Sequence, residues 1–385
     1  MKVAARRAAE TFDREAGPFG RRIVIYGAGG LGQRVLAGLR DNQLDAVAFA
    51  DRNPASWSRK PGGISVLSPE EAVRRFGSDA VFVIAVWNPV LSGGIAQIAE
   101  SLKALGCLRV VPFVWLFWKF PHTFLPYYLW DLPANLLNTA DEVRRNLDLF
   151  HGVRSRNEYL RQVELRLTGD FACLTPADQD SQYFPSRVFR PRADECFVDC
   201  GAFDGDSMLA YADWTGGRFQ KAIAFEADPE NFASLNRTVE NDGRLRGRVR
   251  TVQEAVGLKR GIVKFAASGM GNAAVSASGT VSVQCSPLDE ALLDEHPTYI
   301  KMDIEGAEID ALTGAAATLE RRRPTLAICA YHLQDHLWKV PARMHELMPD
   351  SRLLLRPHRA DGFDLVCYAV PPQGREFYPS MEDSD

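Results

Sequence analysis

The sequence predicts an α/β protein with two doubly wound, Rossmann-like domains. A strand, a glycine-rich turn and a helix follow one another twice, at residues 23–39 and again from residue 196. In both places a second strand ends on an acid about twenty residues later, at Asp51 and at Glu226. Glycines allow the backbone to approach a ligand, and the acid can accept hydrogen bonds from ribose hydroxyls. A chain of 385 residues is long enough for two such cores.

The first domain is expected over residues 1–115, where strands and helices alternate. Apolar runs predict strands at Ile23–Tyr26, Ala46–Ala50, Val81–Val86 and Arg109–Val111. The first helix places Leu31, Val35, Leu36 and Leu39 on one face. A second helix begins at the capping box Ser68-Pro-Glu-Glu71 and ends at Gly77, and a third lies near residues 92–105. This alternation is typical of a parallel sheet covered by helices.

Residues 116–190 are expected to form an aromatic and helical connector, because the alternation stops there. The stretch from Val111 to Trp130 is rich in Phe, Tyr and Trp, but prolines and charged residues interrupt it. A spanning helix needs about twenty apolar residues, so no transmembrane segment is predicted. An interdomain core is the favoured interpretation, and a sugar-stacking wall or a membrane-surface contact are the alternatives. Helical sequence follows at 141–150 and 156–167.

The second domain is expected over residues 191–372, followed by a tail at 373–385. Its predicted strands are Cys196–Cys200, Ala222–Phe225, Val249–Val252, Tyr299–Met302, Leu326–Cys329, Arg352–Leu355 and Leu365–Ala369. Helices are predicted at Pro229–Asn241 and Ala307–Leu319, and an extra hairpin at Ile262–Phe265 and Thr280–Gln284. Seven strands with an antiparallel end fit the seven-stranded sheet of class I methyltransferases.

Composition predicts which kinds of partner the protein binds and in which cellular compartment it lies. The formal net charge is −4 without a basic stripe, which argues against a nucleic-acid partner. Seven scattered cysteines without a CxxC pair favour reduced thiols over disulfides or a zinc site. The charged N-terminus lacks an apolar signal core, so a cytoplasmic location is expected. The oligomeric state is left open.

Polar residues and glycines follow the strands of the second domain. In order they are Asp199 to Gly201, Glu226, Gln253-Glu254, Asp303 to Glu305, and His332. Ligands of open α/β sheets collect beyond the carboxyl ends of the strands. A glycine turn follows the first strand and an acid, Glu226, follows the second, as in nucleoside-binding doubly wound sheets. This order predicts a nucleoside-type cofactor in this domain.

Three motifs give the second domain its resemblance to a known family. They are Val198-Asp-Cys-Gly-Ala-Phe-Asp-Gly-Asp206, Ala224-Phe-Glu-Ala-Asp-Pro229 and, most specifically, Tyr299-Ile-Lys-Met-Asp-Ile-Glu-Gly-Ala-Glu308. With them the sequence resembles the FkbM family of S-adenosylmethionine-dependent methyltransferases over about half the chain, from Asp194 to Val370. The resemblance implies S-adenosylmethionine as cofactor and a hydroxyl of a sugar, glycan or similar small metabolite as acceptor.

The resemblance also implies roles for the residues after the strands. The turn formed by Asp199, Gly201, Gly205 and Asp206 would hold the methionine end of the cofactor. Glu226 would accept from both ribose hydroxyls, a bidentate task that suits a carboxylate. Gln253 or Glu254 would border the adenine, and Asp303 and Glu305 would lie beside the reactive methyl.

Transfer to an alcohol requires removal of the hydroxyl proton, and His332 is our candidate base. Asp303 and Glu305 are the alternatives. His332 lies at an exposed-looking strand end, and the Glu-x-His pattern of many family members is missing from Ala330-Tyr331-His332. A weakly oriented base is therefore expected. The two acids leave room for a divalent ion, but the sequence names no third ligand, so no metal is predicted.

The upstream fingerprint comprises Gly27, Gly29, Gly32 and Asp51 and matches a dinucleotide-binding pattern. It resembles the small N-terminal nucleotide-binding domain of some nucleotide-sugar-processing proteins. NAD, a nucleotide-sugar and no ligand at all stay open as its occupants. The strand ending at Val86 is followed by Trp87-Asn-Pro89, without an obvious catalytic pair. An NAD-dependent oxidoreductase and a non-catalytic nucleotide-binding protein are the alternative functions.

Overall fold

The computed structural model describes residues 8–86, 94–266, 274–275 and 281–372. The chain divides into two compact units. The first comprises the residues up to Asp141 together with Leu160–Ala177 and Arg359–Phe363. The second comprises Glu142–Tyr159, Asp178–His358 and the residues from Asp364 onward. The expected tail at 373–385, and the Trp87-Asn-Pro89 segment, lie outside the described residues.

The first unit contains a five-stranded parallel sheet in the order β3-β2-β1-β4-β5. Its strands are β1 Ile23–Tyr26, β2 Ala46–Ala50, β3 Val66–Leu67, β4 Val81–Ile84 and β5 Arg109–Pro112. The short edge strand β3 was not predicted, because two residues carry no periodicity. The other four strands lie where the apolar runs predict them.

Helices accompany this sheet and continue through the expected connector. They are α1 Ala8–Ala16, α2 Gly30–Asp41, α3 Pro69–Phe76, α4 Gly94–Ala104, α5 Phe113–Lys119, α6 Pro121–Phe124, α7 Pro133–Asn138, α8 Ala140–Leu147 and α9 Gly152–Thr168. Ser68 caps α3 by accepting from the backbone N–H of Glu71, as its sequence predicts. Leu31, Val35, Leu36 and Leu39 are all buried on α2.

The aromatic stretch contributes to the core of the first unit. Phe117 stacks on Phe124 with ring centroids 4.3 Å apart, and Phe113 meets Trp130 edge to face. Trp118 and Trp130 are fully buried, which contradicts an exposed sugar-stacking wall or membrane contact built from these two rings. Among the described residues, no helix has both the length and the apolar character that crossing a membrane requires.

The second unit contains a seven-stranded sheet in the order β15-β16-β14-β13-β6-β7-β8. Its strands are β6 Cys196–Cys200, β7 Lys221–Phe225, β8 Val249–Val252, β13 Tyr299–Met302, β14 Thr325–Cys329, β15 Arg352–Pro357 and β16 Leu365–Val370. β16 runs antiparallel to both β14 and β15, and the other pairs are parallel. The predicted antiparallel end is confirmed.

The predicted hairpin belongs to a smaller four-stranded sheet. Its strands are β9 Ala255–Val256, β10 Gly261–Ala266, β11 Ala274–Val275 and β12 Val281–Ser286. The second unit's helices from residue 206 onward are α10 Asp206–Trp214, α11 Pro229–Asn241, α12 Leu288–Ala291, α13 Glu308–Thr313, α14 Ala316–Arg322 and α15 His336–Leu347. The single helix predicted at 307–319 is wrong, since the Asp289 carboxylate accepts from the Ala317 and Thr318 N–H groups and starts a new helix there.

Candidate active site

A cavity of about 260 Å³ lies at the carboxyl ends of β6, β7 and β13 in the second unit. Its described lining carries far more acids than bases. The acids are Asp206, Glu226, Glu254, Asp303, Glu305 and Asp364, and Lys301 is the one lysine or arginine among the described lining residues. An acidic lining favours a cationic ligand over an anionic one.

Glu226 follows β7 and lies beneath this cavity. Its two carboxylate oxygens accept from the backbone N–H groups of Phe203 and Asp228, each at 2.8 Å. Burial raises the pKa of Glu226 to about 7, although these two N–H donors act in the opposite direction. The acid is therefore held rigidly at the end of β7, with a pKa near neutrality.

Asp199 lies beside the glycine turn and is absent from the described lining of the cavity. The Asp199 carboxylate is fully buried, forms an ion pair of 2.8 Å with the Lys301 Nζ atom, and accepts from the Ser207 hydroxyl. Lys301 also donates to the Gly201 carbonyl at 2.7 Å. Asp199 therefore positions Lys301 and, through it, the glycine turn.

The remaining predicted cofactor residues are divided between the cavity wall and its surroundings. Gly201, Asp206 and Glu254 line the cavity, whereas Gly205 and Gln253 are absent from its described lining. Gly205 directly precedes α10, and Gln253 is exposed. Of the two adenine-side candidates, Glu254 is thus the one in contact with the cavity.

Asp303, Glu305 and His332 converge at the edge of this cavity. Asp303 and Glu305 follow β13, and His332 follows the neighbouring strand β14. The Nε2 atom of His332 lies 3.2 Å from Asp303 Oδ1 and 3.6 Å from Glu305 Oε1. The His332 side chain is only 1% exposed, which contradicts the exposed position expected from the sequence.

Glu308 at the start of α13 orients His332. Its Oε1 atom lies 2.7 Å from the Nδ1 atom of His332 and also accepts from the Ile304 N–H at 3.0 Å. Its Oε2 atom accepts from the Gly306 N–H and lies 3.2 Å from Nδ1 of His336. The expectation of a weakly oriented histidine is therefore wrong. Glu308, the last residue of the most specific motif, supplies an orienting carboxylate for His332.

Neighbouring carboxylates strongly raise the pKa of His332. Burial alone lowers the pKa of His332, but Glu308, Asp303 and Glu305 outweigh burial and hold that pKa well above its usual value. For Asp303, burial alone would raise the pKa, but His332 and Lys301 outweigh burial and hold that pKa well below its usual range. The cluster therefore strongly stabilises a positive charge at the histidine.

Tyr183 belongs to the site although sequence reasoning missed it. Its hydroxyl donates to Asp303 Oδ2 at 2.8 Å, and Lys301 Nζ lies 4.9 Å from the centre of its ring. Tyr183 lies in the irregular segment before β6, where no motif marks it. Its position next to Asp303 depends on a contact across 120 residues of sequence.

The ligand-type atoms of Asp303, Glu305 and His332 all lie within 4.8 Å of one another. The sequence alone names no third ligand-type group beside the two acids, and the structure supplies one. His332 is that third group, and the pairing of β13 with β14 brings it beside the acids.

The upstream fingerprint of Gly27, Gly29, Gly32 and Asp51 forms a compact turn in the first unit. A Cβ atom on Gly32 would lie 1.8 Å from the Gly27 carbonyl oxygen, so only glycine allows this approach of helix to strand. Gly29 faces open space, as a glycine beneath a bound pyrophosphate must. Asp51 accepts from the N–H groups of Ala28 and Asn53, each at 2.8 Å. Asp51 and Glu226 thus bind their glycine turns in the same way.

The strand order and the antiparallel β16 give the second unit the topology of doubly wound class I methyltransferases. Residues 199–361 match the family model described as "Methyltransferase FkbM domain". The second unit therefore carries an FkbM-type methyltransferase domain. This family implies the use of S-adenosylmethionine, and its reaction class is methyl transfer.

Solved structures agree with this fold. The FkbM methyltransferase from Methylobacillus flagellatus KT is similar with a TM-score of 0.77 and 21% identity, over 96% of this chain and 97% of that chain. Two partial likenesses carry no argument: UDP-D-quinovosamine 4-dehydrogenase from Vibrio fischeri (TM-score 0.21, 22% identity, 24% of this chain and 76% of that chain) and the SAH-bound Podospora anserina methyltransferase PaMTH1 (0.30, 14%, 61% and 96%). A search of curated proteins found no match.

Proposed function

We propose that this protein transfers a methyl group from S-adenosylmethionine to a hydroxyl of a sugar, glycan or related small metabolite. The observation that carries the proposal is the cluster of Asp303, Glu305 and His332 at the edge of the acidic cavity. A hydroxyl acceptor needs a proton acceptor beside the methyl, and this cluster supplies one imidazole and two carboxylates.

The cavity fits the cofactor in charge and in the order of its residues. When bound, S-adenosylmethionine supplies an electrophilic methyl on a positively charged sulfur. Glu226 would accept from the ribose hydroxyls, Glu254 would border the adenine, and Asp206 with the Gly201 turn would lie at the methionine end. The excess of carboxylates in the lining favours this cation.

The residues of the cluster orient the acceptor and receive its proton. The acceptor oxygen forms a bond to the methyl carbon while the carbon–sulfur bond breaks, and the hydroxyl proton goes to the cluster. We assign the proton to Nε2 of His332, because Glu308 holds Nδ1 of the same ring. Only the neutral imidazole can accept a proton, and the surrounding carboxylates raise the pKa of His332, so we expect turnover to increase as the pH rises towards that raised pKa. Positioning supplies much of the remaining acceleration.

Calorimetric titration of the full chain with S-adenosylhomocysteine and with NAD tests the choice of cofactor. We expect S-adenosylhomocysteine to bind and Glu226→Ala to abolish that binding. Retained affinity in Glu226→Ala, or binding of NAD at the Glu226 site, contradicts the proposal. The base is tested separately: near-wild-type turnover in His332→Ala together with lost turnover in Asp303→Asn rules out His332.

A nucleotide site in the first unit is a second candidate function, for NAD or for a nucleotide-sugar. Open space at Gly29 beside the carboxylate of Asp51 favours it. Gly29→Val would fill that space while the φ of this residue allows a side chain. We expect Gly29→Val to weaken NAD or UDP-sugar binding and to leave S-adenosylhomocysteine binding unchanged. Absence of both ligands from the wild-type protein favours a structural role.

A further inference from the structure

Three side chains of metal-ligand type meet where β13 and β14 end. We propose that Asp303, Glu305 and His332 bind a divalent cation at the edge of the cavity. The binding itself is independent of the function proposed above, whereas the role of the ion in methyl transfer rests on that function.

The separation of His332 from Asp303 fits two ligands of one ion, and the separation of His332 from Glu305 is slightly longer than the range for such a pair. Two ligands about 2.1 Å from one ion, at angles between a right angle and a tetrahedral angle, lie about 3.0–3.4 Å apart. The His332 Nε2 atom lies 3.2 Å from Asp303 Oδ1 and 3.6 Å from Glu305 Oε1. A charge-assisted hydrogen bond is shorter, about 2.7–2.9 Å, which is the length found on the other side of the ring, at Nδ1.

The orientation of the imidazole supports the same conclusion. Glu308 is fully buried and holds Nδ1 of His332, so the opposite ring nitrogen points towards Asp303 and Glu305. A carboxylate that holds one nitrogen of a histidine while the other binds metal is the common arrangement of metal-ligating histidines. Glu308 is itself held by the N–H groups of Ile304 and Gly306, which makes this orientation rigid.

The two carboxylate oxygens of Asp303 have different partners. The Tyr183 hydroxyl donates to Oδ2, and Oδ1 is the atom that faces His332. Lys301, which lines the same cavity, is already bound to Asp199 and to the Gly201 carbonyl. With neutral imidazole, Asp303, Glu305 and Glu308 place three negative charges around the ring, and a divalent cation compensates most of this charge.

One imidazole nitrogen and two carboxylate oxygens favour Mn²⁺, Fe²⁺ or Zn²⁺ over Ca²⁺, which prefers ligands made only of oxygen. Three protein ligands leave positions for water and for the acceptor hydroxyl. The charge of the ion lowers the pKa of such a hydroxyl, and its proton then leaves to solvent. With the ion bound, His332 is a ligand and no longer the proton acceptor, so ion and proton compete for the same Nε2 atom.

Manganese binding to the full chain tests the proposal. Chelator-treated protein is titrated with Mn²⁺, followed by calorimetry and by loss of the free Mn²⁺ electron paramagnetic signal, with a pulsed measurement for nitrogen coupling. The ligand variants are Asp303→Asn, Glu305→Gln and His332→Gln. Asp335→Asn is the matched control, because its carboxylate pairs with Lys339 and does not belong to the group of ligand-type atoms.

We expect one Mn²⁺ per chain with nitrogen coupling from one imidazole, and an affinity at least about 100-fold lower in each ligand variant but unchanged in Asp335→Asn. Glu308→Gln should lower the affinity about 10- to 100-fold through the orientation of His332. Absence of saturable binding to the wild-type protein, or bound Mn²⁺ without nitrogen coupling, overturns the proposal even where a variant fails to fold.

S-adenosylhomocysteine titration of the same samples separates the two proposals. Bound S-adenosylhomocysteine without Mn²⁺ binding leaves the methyltransferase proposal standing and overturns the metal site. Bound Mn²⁺ without S-adenosylhomocysteine binding supports the metal site and contradicts the proposed cofactor.

Discussion

Glu226 is a buried carboxylate whose pKa of about 7 makes cofactor affinity depend on pH near neutrality. The ionised form can accept from both ribose hydroxyls, whereas protonation removes acceptor capacity. Since the pKa is raised, ionisation occurs as the pH rises through about 7. We therefore expect affinity for S-adenosylhomocysteine to level off above about pH 8 and to fall about tenfold for each pH unit below 7. Calorimetry between pH 5.5 and 8.5 measures this slope, and Glu226→Gln should abolish it. An equal slope in the variant assigns the titration to another group.

Lys301 and Asp199 form a buried ion pair, with exposed side-chain fractions of 3% and 0%. Lys301→Met would leave the Asp199 carboxylate buried without its cation, at a cost of about 3–5 kcal/mol in the free energy of unfolding. The double variant Asp199→Asn with Lys301→Met removes both charges and should recover a substantial part of that loss. Urea unfolding of the three proteins measures the difference. A double variant no more stable than Lys301→Met would show that the packing of Lys301, and not its charge, matters.

At the scale of elements, the site depends on the close approach of the β6 turn to the end of β13. Gly201 has φ +81°, and a Cβ atom there would lie 1.9 Å from the Asp303 carbonyl oxygen. We expect Gly201→Ala to destabilise the second unit by at least about 2 kcal/mol and to weaken S-adenosylhomocysteine binding. Gly243→Ala is the control, because Gly243 has open space and lacks a positive φ. Thermal unfolding and calorimetry measure both effects, and equal behaviour of the two variants contradicts this account.

The strands were predictable because buried parallel strands produce continuous apolar runs, as at Cys196–Cys200 and Tyr299–Met302. Positions at strand ends were predictable for the same reason. The partners of those positions were not predictable. Lys301 binds the Asp199 carboxylate, and Tyr183 binds Asp303, through contacts between distant parts of the sequence that no local pattern encodes.

The cluster of Asp303, Glu305 and His332 also depends on contacts that the sequence does not encode. His332 and Glu308 were both visible in the sequence, Glu308 as the last residue of a motif. Their pairing depends on where α13 begins relative to the end of β14, which follows from packing. The burial of His332 and its position as a third ligand-type group follow from that same packing.

At the scale of the whole molecule, the two compact units do not correspond to continuous segments. The first unit includes residues beyond 115, among them Leu160–Ala177 and Arg359–Phe363. The sequence placed a domain boundary at 115 because the strand and helix alternation stops there. We propose instead that the folding unit needs the aromatic residues that follow, since Phe113 packs on Phe117, Trp130 and Phe171.

A fragment of residues 1–115 should therefore fail to fold as a cooperative unit. It retains Phe113 but loses Phe117, Trp130 and Phe171, so it would expose apolar surface that the intact unit buries. A fragment of residues 1–177 restores these three rings and should recover a cooperative transition. Differential scanning calorimetry and near-ultraviolet circular dichroism compare the two fragments. A cooperative transition of the 1–115 fragment, within a few degrees of that of the longer one, would show that the five-stranded sheet and its helices suffice and that the aromatic residues add only local packing.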